Sequence, residues 1–154
     1  MFSTLPPVAL ALGLAGLLPF LGCGLGALGM WQPEAMLLAL VAYGAVILAF
    51  LGGVHWGFAL PSTLADRSHR LALSVVPSLI GWVAILLALL VSGEVALLLL
   101  AGGFAVTLVV ETRIAAAGQM PEGYMGLRWM LSLVVLTVLV GVAFVRFFGG
   151  KIIF

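Results

Sequence analysis

Five long apolar stretches limit what this sequence can fold into more than any other feature does. Each has 21 to 26 residues, and they cover residues 5–28, 35–60, 71–91, 95–117 and 125–148. About 20 helical residues, rising about 1.5 Å each, cross a hydrocarbon layer of about 30 Å. The stretches lack the alternation of a membrane-spanning strand, and backbone groups in lipid must be paired within their own segment. The sequence therefore predicts an all-α membrane protein with five transmembrane helices in an up-down bundle.

The composition supports lipid as the solvent and excludes several classes of protein. Of 154 residues, 65% are hydrophobic and 7% are charged, whereas about a quarter are charged in soluble domains. A net charge of +1 excludes the basic face that nucleic-acid binding requires. The single cysteine, Cys23, excludes an internal disulfide and a cysteine-based zinc site. The expected partners are the lipid bilayer and other membrane-protein subunits.

The segments between the apolar stretches are short and polar or rich in Pro and Gly, which predicts one domain over residues 1–154. Ser92-Gly93-Glu94 is a minimal turn, so the third and fourth helices should be antiparallel. Residues 65–70 are the most polar run and are expected to form a loop. Residues 1–7 contain no Lys or Arg, which favours a retained first helix over a signal peptide.

The basic residues near the predicted helix ends indicate an orientation. With five crossings, the N-terminus and the loops at 61–70 and 118–124 share one side of the membrane. That side holds four arginines and the other side holds Arg146 and Lys151; the four are Arg67, Arg70, Arg113 and Arg128. Because basic residues concentrate on the cytoplasmic side, the N-terminus is predicted inside and the C-terminus outside.

Small residues recur every four positions in the second helix, at Ala45, Ala49, Gly53 and Gly57. Small side chains allow close approach of helix backbones in lipid. Internal helix packing is the favoured interpretation of this stripe, and an oligomer or partner interface is the alternative.

The ionisable residues gather near one end of the predicted bundle. Threading the helices up and down places His55, Glu111, Arg113 and Arg128 at one depth, with Asp66 in the facing loop. A charge inside a bilayer is costly, so Glu111 is expected to pair with Arg128, Arg113 or His55. Two interpretations remain open: a structural ion-pair layer, or a polar pocket that binds a headgroup, a quinone-like ligand or a proton.

His55 is the candidate cofactor-binding residue, because Gly52, three residues before it, could leave room for a pigment macrocycle. The only other histidine, His69, lies in the predicted loop, so two axial ligands from one chain are not expected. A single-histidine pigment site remains an alternative to a hydrogen bond with a neighbouring helix. Trp82 is expected to be a packing residue. Because no catalytic or metal-ligand constellation is recognisable, the sequence predicts neither an enzyme nor a metal site.

Three segments resemble a known family. Residues 43–57 (YGAVILAFLGGVHWG) and residues 77–82 (PSLIGW) are similar to motifs of the DUF3429 family, which includes small bacterial and mitochondrial membrane proteins. Pro121, Tyr124, Leu127 and Arg128 resemble the segment before its last helix. Gly123 stands where that family has Trp, and Glu111 stands where Asp is common. The resemblance covers about residues 5–148.

The resemblance implies a multipass inner-membrane protein without an established activity. The small size, the minimal loops and the extensive small-residue faces of the chain lead us to expect a non-catalytic accessory or assembly subunit beside a larger, energy-transducing membrane complex. The alternative is a binding or carrier protein for a small ligand, a quinone, a lipid or a pigment, which would use the layer around His55 and Glu111. The absence of an Arg- and Ser-rich transit peptide favours a protein of the bacterial inner membrane.

Overall fold

The computed structural model describes residues 6–60, 67–116 and 123–149, and these residues form helices without strands. Five helices are long and apolar enough to cross a membrane. They are α1 (Pro7–Met30), α2 (Pro33–Ala59), α3 (Arg67–Leu90), α4 (Gly93–Ala116) and α5 (Tyr124–Gly149). The prediction of an all-α protein with five membrane-spanning helices is therefore confirmed.

The start of α3 is the largest difference from the predicted helix bounds. Residues 67–70, which were expected in a loop, form the first turn of this helix. Polar side chains do not prevent helix formation where a helix begins outside the hydrocarbon layer, because they can remain in water. The other bounds that can be compared differ by one or two residues. Asp66, a member of the predicted polar layer, lies outside the described residues.

Two of the five helices are interrupted next to a proline. The regular turns of α1 break between Ala15 and Leu17, and those of α3 break between Leu73 and Val76. Proline lacks an N–H for the carbonyl four residues earlier, and Pro19 and Pro77 each lie four residues after the last regular residue. The Tyr43 hydroxyl donates a hydrogen bond of 3.0 Å to the carbonyl of Gly16 at the first break.

Helices α2 and α4 lie at the centre of the bundle. Helix α2 packs against α1, α3 and α4, whereas α4 packs against α2, α3 and α5, and α5 also contacts α1. The buried ring of Phe20 meets Tyr43 and Phe104 edge-on, with ring centroids 5.0 and 6.1 Å apart. The other large, fully buried apolar side chains include Leu40, Leu48, Leu97, Leu100 and Leu139.

The close contact between α2 and α3 uses two small residues of α2 seven positions apart. A Cβ atom added to Gly81 of α3 would lie 3.0 Å from the carbonyl oxygen of Ala45. A Cβ atom added to Gly52 would overlap the carbonyl oxygen of Ser74. Seven residues turn a helix by nearly two full rotations, so Ala45 and Gly52 share a face.

The predicted internal packing is wrong for the second half of the four-residue stripe. Ala45 is buried and Ala49 half-buried, but Gly53 and Gly57 are exposed. Apart from the adjacent backbone of α2, a Cβ at either glycine would have no described neighbour within 4 Å. A step of four residues advances about 40° beyond one full turn. Over three steps the stripe rotates by about 120°, and this rotation carries Gly57 away from the face of Ala45.

Candidate functional site

A buried ion-pair network joins three helices near one end of the bundle. Nε of Arg128 donates to Oε2 of Glu111 at 2.5 Å, and Nε2 of His55 lies 3.1 Å from Oε1 of the same carboxylate. Glu111 is completely buried, and the side chains of Arg128 and His55 are 8% and 12% exposed. Because an ionised carboxylate only accepts hydrogen bonds, we assign a proton to Nε2 of His55, which makes this nitrogen the donor. We call these three residues the Glu111 cluster.

Helix geometry explains how these residues meet. His55 lies four residues before the end of α2, Glu111 five residues before the end of α4, and Arg128 four residues after the start of α5. At about 1.5 Å per residue, all three lie roughly 6–8 Å inside their helix ends. Each side chain therefore reaches the same layer from a different helix.

The structure brings together three of the five residues that were assigned to the polar layer. Arg113 is exposed and has no ion pair within the described ranges. It lies two positions after Glu111, and side chains two apart on a helix do not face the same side. Tyr124 joins the group instead, because it is half-buried and interacts electrostatically with both Glu111 and Arg128.

Two polar atoms beside the cluster are buried and have no hydrogen-bond partner in the described structure: Nη2 of Arg128 and Oγ of Ser132. Ser132 follows Arg128 by one helical turn. Three threonine hydroxyls of α4 and α5 each donate a hydrogen bond to the backbone carbonyl four residues earlier in the same helix; they are Thr107, Thr112 and Thr137. Ser132 does not make this bond.

The space that a pigment ring would need beside Gly52 is occupied. Ser74 and Pro77 of α3 fill the position where a side chain at this glycine would extend, so Gly52 serves the contact between α2 and α3. His55 Nε2 is already engaged with Glu111. Among the described residues, no group of three or more His, Cys, Asp or Glu side chains could hold a metal ion.

A second ion network, which the sequence analysis missed, lies at the opposite end of the bundle. Nε of Arg146 donates to Glu94 at 2.9 Å, and Nη2 donates to Glu34 at 2.5 Å. Nη1 of Arg146 donates to the carbonyl of Ala27 at 2.9 Å. We call Arg146, Glu34 and Glu94 the Arg146 cluster. Each glutamate lies in the first turn of a helix, where the helix dipole favours a negative charge.

The two clusters mark the two ends of the apolar part of α4 and α5. Glu94 and Glu111 are 17 residues apart on α4, and their partners Arg146 and Arg128 are 18 apart on α5. These separations correspond to about 26 Å of helix, close to the thickness of a bilayer hydrocarbon core. This matched spacing was visible in the sequence once antiparallel pairing of α4 and α5 was assumed.

The fold and the two clusters define a multipass membrane protein in which two groups of charged side chains pair across helices. The model of the family described as "Protein of unknown function (DUF3429)" matches residues 5–144. The chain therefore belongs to the DUF3429 family, as the motifs in the sequence predicted.

The curated relatives are named as transmembrane proteins. Transmembrane protein 69 of Xenopus tropicalis is 38% identical over 140 residues, which cover 88% of this chain and 53% of the relative. Transmembrane protein 69 of Mus musculus is 42% identical over 85 residues, or 53% of this chain and 34% of the relative. The chain thus spans about half the length of the first relative and a third of the second. No solved structure matches.

Proposed function

We propose that this protein is a non-catalytic accessory or assembly subunit that packs in the bilayer beside a larger, energy-transducing membrane complex. The observation that carries the proposal is that the five charged residues of the two clusters are used for internal pairing. Both oxygens of Glu111 accept bonds from other helices, and Arg146 joins four helices through two carboxylates and one carbonyl. Groups engaged in this way hold the bundle together and leave the apolar exterior for contact with neighbours.

The exterior of α3 is the face that we expect to contact a partner. Trp82, which was expected to pack internally, is instead 60% exposed, and Leu79, one turn earlier, is 56% exposed. Tryptophan is enriched in protein interfaces. Helix α3 packs within the bundle against α2 and α4, so its opposite face is left for lipid or for another subunit.

Site-specific photocrosslinking in the native membrane tests this proposal. A photoreactive amino acid would replace Trp82 on α3 and, in separate variants, the exposed residues Phe50 of α2, Val106 of α4 and Leu133 of α5. Leu100, which has no exposed surface, serves as the matched internal control. We expect Trp82 to capture one specific membrane protein and the other exposed positions to capture mainly lipid. Lipid adducts alone at every exposed position would contradict the proposal.

We also propose that the protein lies in the bacterial inner membrane with the Glu111 cluster near the cytoplasm. Exposed Arg67 and Arg113 support this orientation, because basic residues are retained on the cytoplasmic side. Reporter fusions after His69 and Gln119 should therefore be cytoplasmic, and fusions after Gly93 and Phe154 external. The same side for Gly93 and Gln119 would show that α4 does not span.

The second candidate function is binding or carriage of a small ligand by the polar layer. It is favoured by the two unpaired buried atoms of Arg128 and Ser132. Interrupted helices are typical of transporter sites, and the break of α3 begins at Ser74, which contacts Gly52. His55→Ala should then leave the fold intact and remove a co-purifying lipid, quinone or pigment. Optical absorption and mass spectrometry of the purified protein would detect it, and ligand-free wild-type protein would exclude this function.

A further inference from the structure

Arg128 and Ser132 present buried donors that need an acceptor from outside the described protein. Arg128 is 7% exposed and Ser132 is 1% exposed, and their unpaired atoms are on neighbouring turns of α5. Buried polar groups are nearly always hydrogen-bonded, and leaving one unpaired is costly. The threonines of α4 and α5 avoid this cost through their own backbone carbonyls, so the exception at Ser132 is local.

The charges around these atoms select the chemistry of the acceptor. Arg128 and Glu111 form an ion pair without net charge. An added anion would be repelled by the carboxylate, and an added cation would be repelled by the guanidinium. An uncharged oxygen with free lone pairs can accept from both donors without either penalty.

We propose that Arg128 and Ser132 form a binding site for an uncharged oxygen acceptor. This acceptor is either a water molecule or the carbonyl oxygen of a membrane-dissolved molecule such as an ester lipid or a quinone. The two residues lie about 6 and 12 Å from the start of α5, a depth that interfacial water and lipid carbonyls reach from the nearby membrane surface. This site does not depend on a partner complex.

The neighbouring part of α1 is the thinnest cover beside the α5 turns that carry the site. Residues Pro7–Ala15 contain no buried residue, and Gly13 contacts Leu127 and Leu131 of α5 closely enough that an added Cβ would lie 3.1 Å from Leu131. Helix α1 therefore borders the two α5 turns that also carry Arg128 and Ser132, on their Leu127 and Leu131 side, and a small group that reaches the two donors would enter beside this contact.

Solid-state NMR of the full chain in lipid nanodiscs tests the proposal. Arginine would be labelled with ¹⁵N, and the lipid ester carbonyl or an added quinone carbonyl with ¹³C. With the glutamate carboxyl carbons also labelled with ¹³C, Arg128 is recognised by contact of its ¹⁵Nε with such a carbon. Arg146→Lys removes the other arginine that is bonded to a glutamate within the described ranges. We expect Nη2 of Arg128 to show magnetisation transfer from water or a dipolar contact with a labelled carbonyl. Transfer from water would identify water as the acceptor, and a contact with a labelled carbonyl would identify the labelled lipid or quinone as the acceptor.

Ser132→Ala should weaken that contact strongly, because it removes one of the two donors that hold the acceptor. Thr137→Ala is the matched control, because its hydroxyl donates to the Leu133 carbonyl and its loss should leave the contact intact. Ser132→Cys, which keeps the volume and a weak donor, should give a reduced contact if Ser132→Ala does not fold. Absence of both water and carbonyl contacts, or a contact unchanged in Ser132→Ala and Ser132→Cys, would overturn the proposal.

Discussion

The Glu111 cluster and the Arg146 cluster use the same side-chain chemistry in different surroundings. In the first, the carboxylate is completely buried and the guanidinium-bearing side chain is 8% exposed. In the second, Arg146 is 17% exposed, Glu94 21% and Glu34 81%. Bulk water reaches the Arg146 cluster more readily than the Glu111 cluster, so it can more easily replace a lost partner in the Arg146 cluster. From this difference in burial we expect the stability of the fold to depend more on the Glu111 cluster than on the Arg146 cluster.

Arg128→Ala should give the largest loss, because it leaves the Glu111 charge buried without its cationic partner. Removing one member of a buried pair costs about 3–5 kcal/mol of unfolding free energy. Adding Glu111→Gln should restore part of this loss, because it removes the uncompensated charge. Denaturant titration in mixed micelles would measure both effects.

Arg113→Ala is the control for this comparison, since Arg113 has the same charge, lies two positions from Glu111 and is exposed. It should change stability little. If Arg128→Ala were no more destabilising than Arg113→Ala, the buried pair would not stabilise the fold.

Substitution of a tightly packed glycine should also cost more stability near the Glu111 cluster than near the Arg146 cluster. An added methyl at Gly52, near the Glu111 cluster, overlaps the backbone oxygen of Ser74, whereas one at Gly93, near the Arg146 cluster, meets the side chain of Leu37. A backbone cannot move aside as a leucine side chain can. Gly52→Ala should therefore cost about 1–3 kcal/mol, and Gly93→Ala clearly less. Thermal melting in detergent would compare them, and equal losses would contradict the proposed difference in rigidity.

Arg146→Ala should have a smaller effect than either Arg128→Ala or Gly52→Ala. Its ion pairs are partly hydrated, and exposed pairs contribute about 1 kcal/mol or less. The loss of the bond to the Ala27 carbonyl is offset because water can reach this end of the bundle. Denaturant titration would measure the change, and a loss as large as that of Arg128→Ala would show that the Arg146 cluster is effectively dry.

High salt should give the smallest effect on stability. It should weaken the Arg146 cluster more than the Glu111 cluster. At 1 M ionic strength the screening length is about 3 Å, and exposed charges are screened more than buried ones. The stability difference between wild type and Arg146→Ala should shrink in high salt, while the difference for Arg128→Ala should remain. If salt changed the stability losses of Arg146→Ala and Arg128→Ala equally, the two clusters would not differ in their access to water.

The sequence predicted the five helices well because length and apolarity alone determine which segments can cross a bilayer. It also predicted that Glu111 would need Arg128 or His55, since an isolated carboxylate in lipid is costly. Arg113 could have been left out of the expected partners of Glu111, because positions 111 and 113 face different sides of a helix. The family motifs around His55 were likewise sufficient to identify the DUF3429 family.

The tertiary structure decided which small residues touch and how the charges are shared. Spacing of four residues suggested that Gly53 and Gly57 pack internally, but the contact face follows Ala45 and Gly52 because the helix repeat is 3.6 residues and not four. The partners of Arg146 come from the starts of two other helices, and no local pattern joins them. Sequence by itself determined that this chain lies in a membrane, because burial in lipid depends on each segment alone. Helix rotation and the pairing of distant charges depend on how several segments pack together, and that information exists only in the folded bundle.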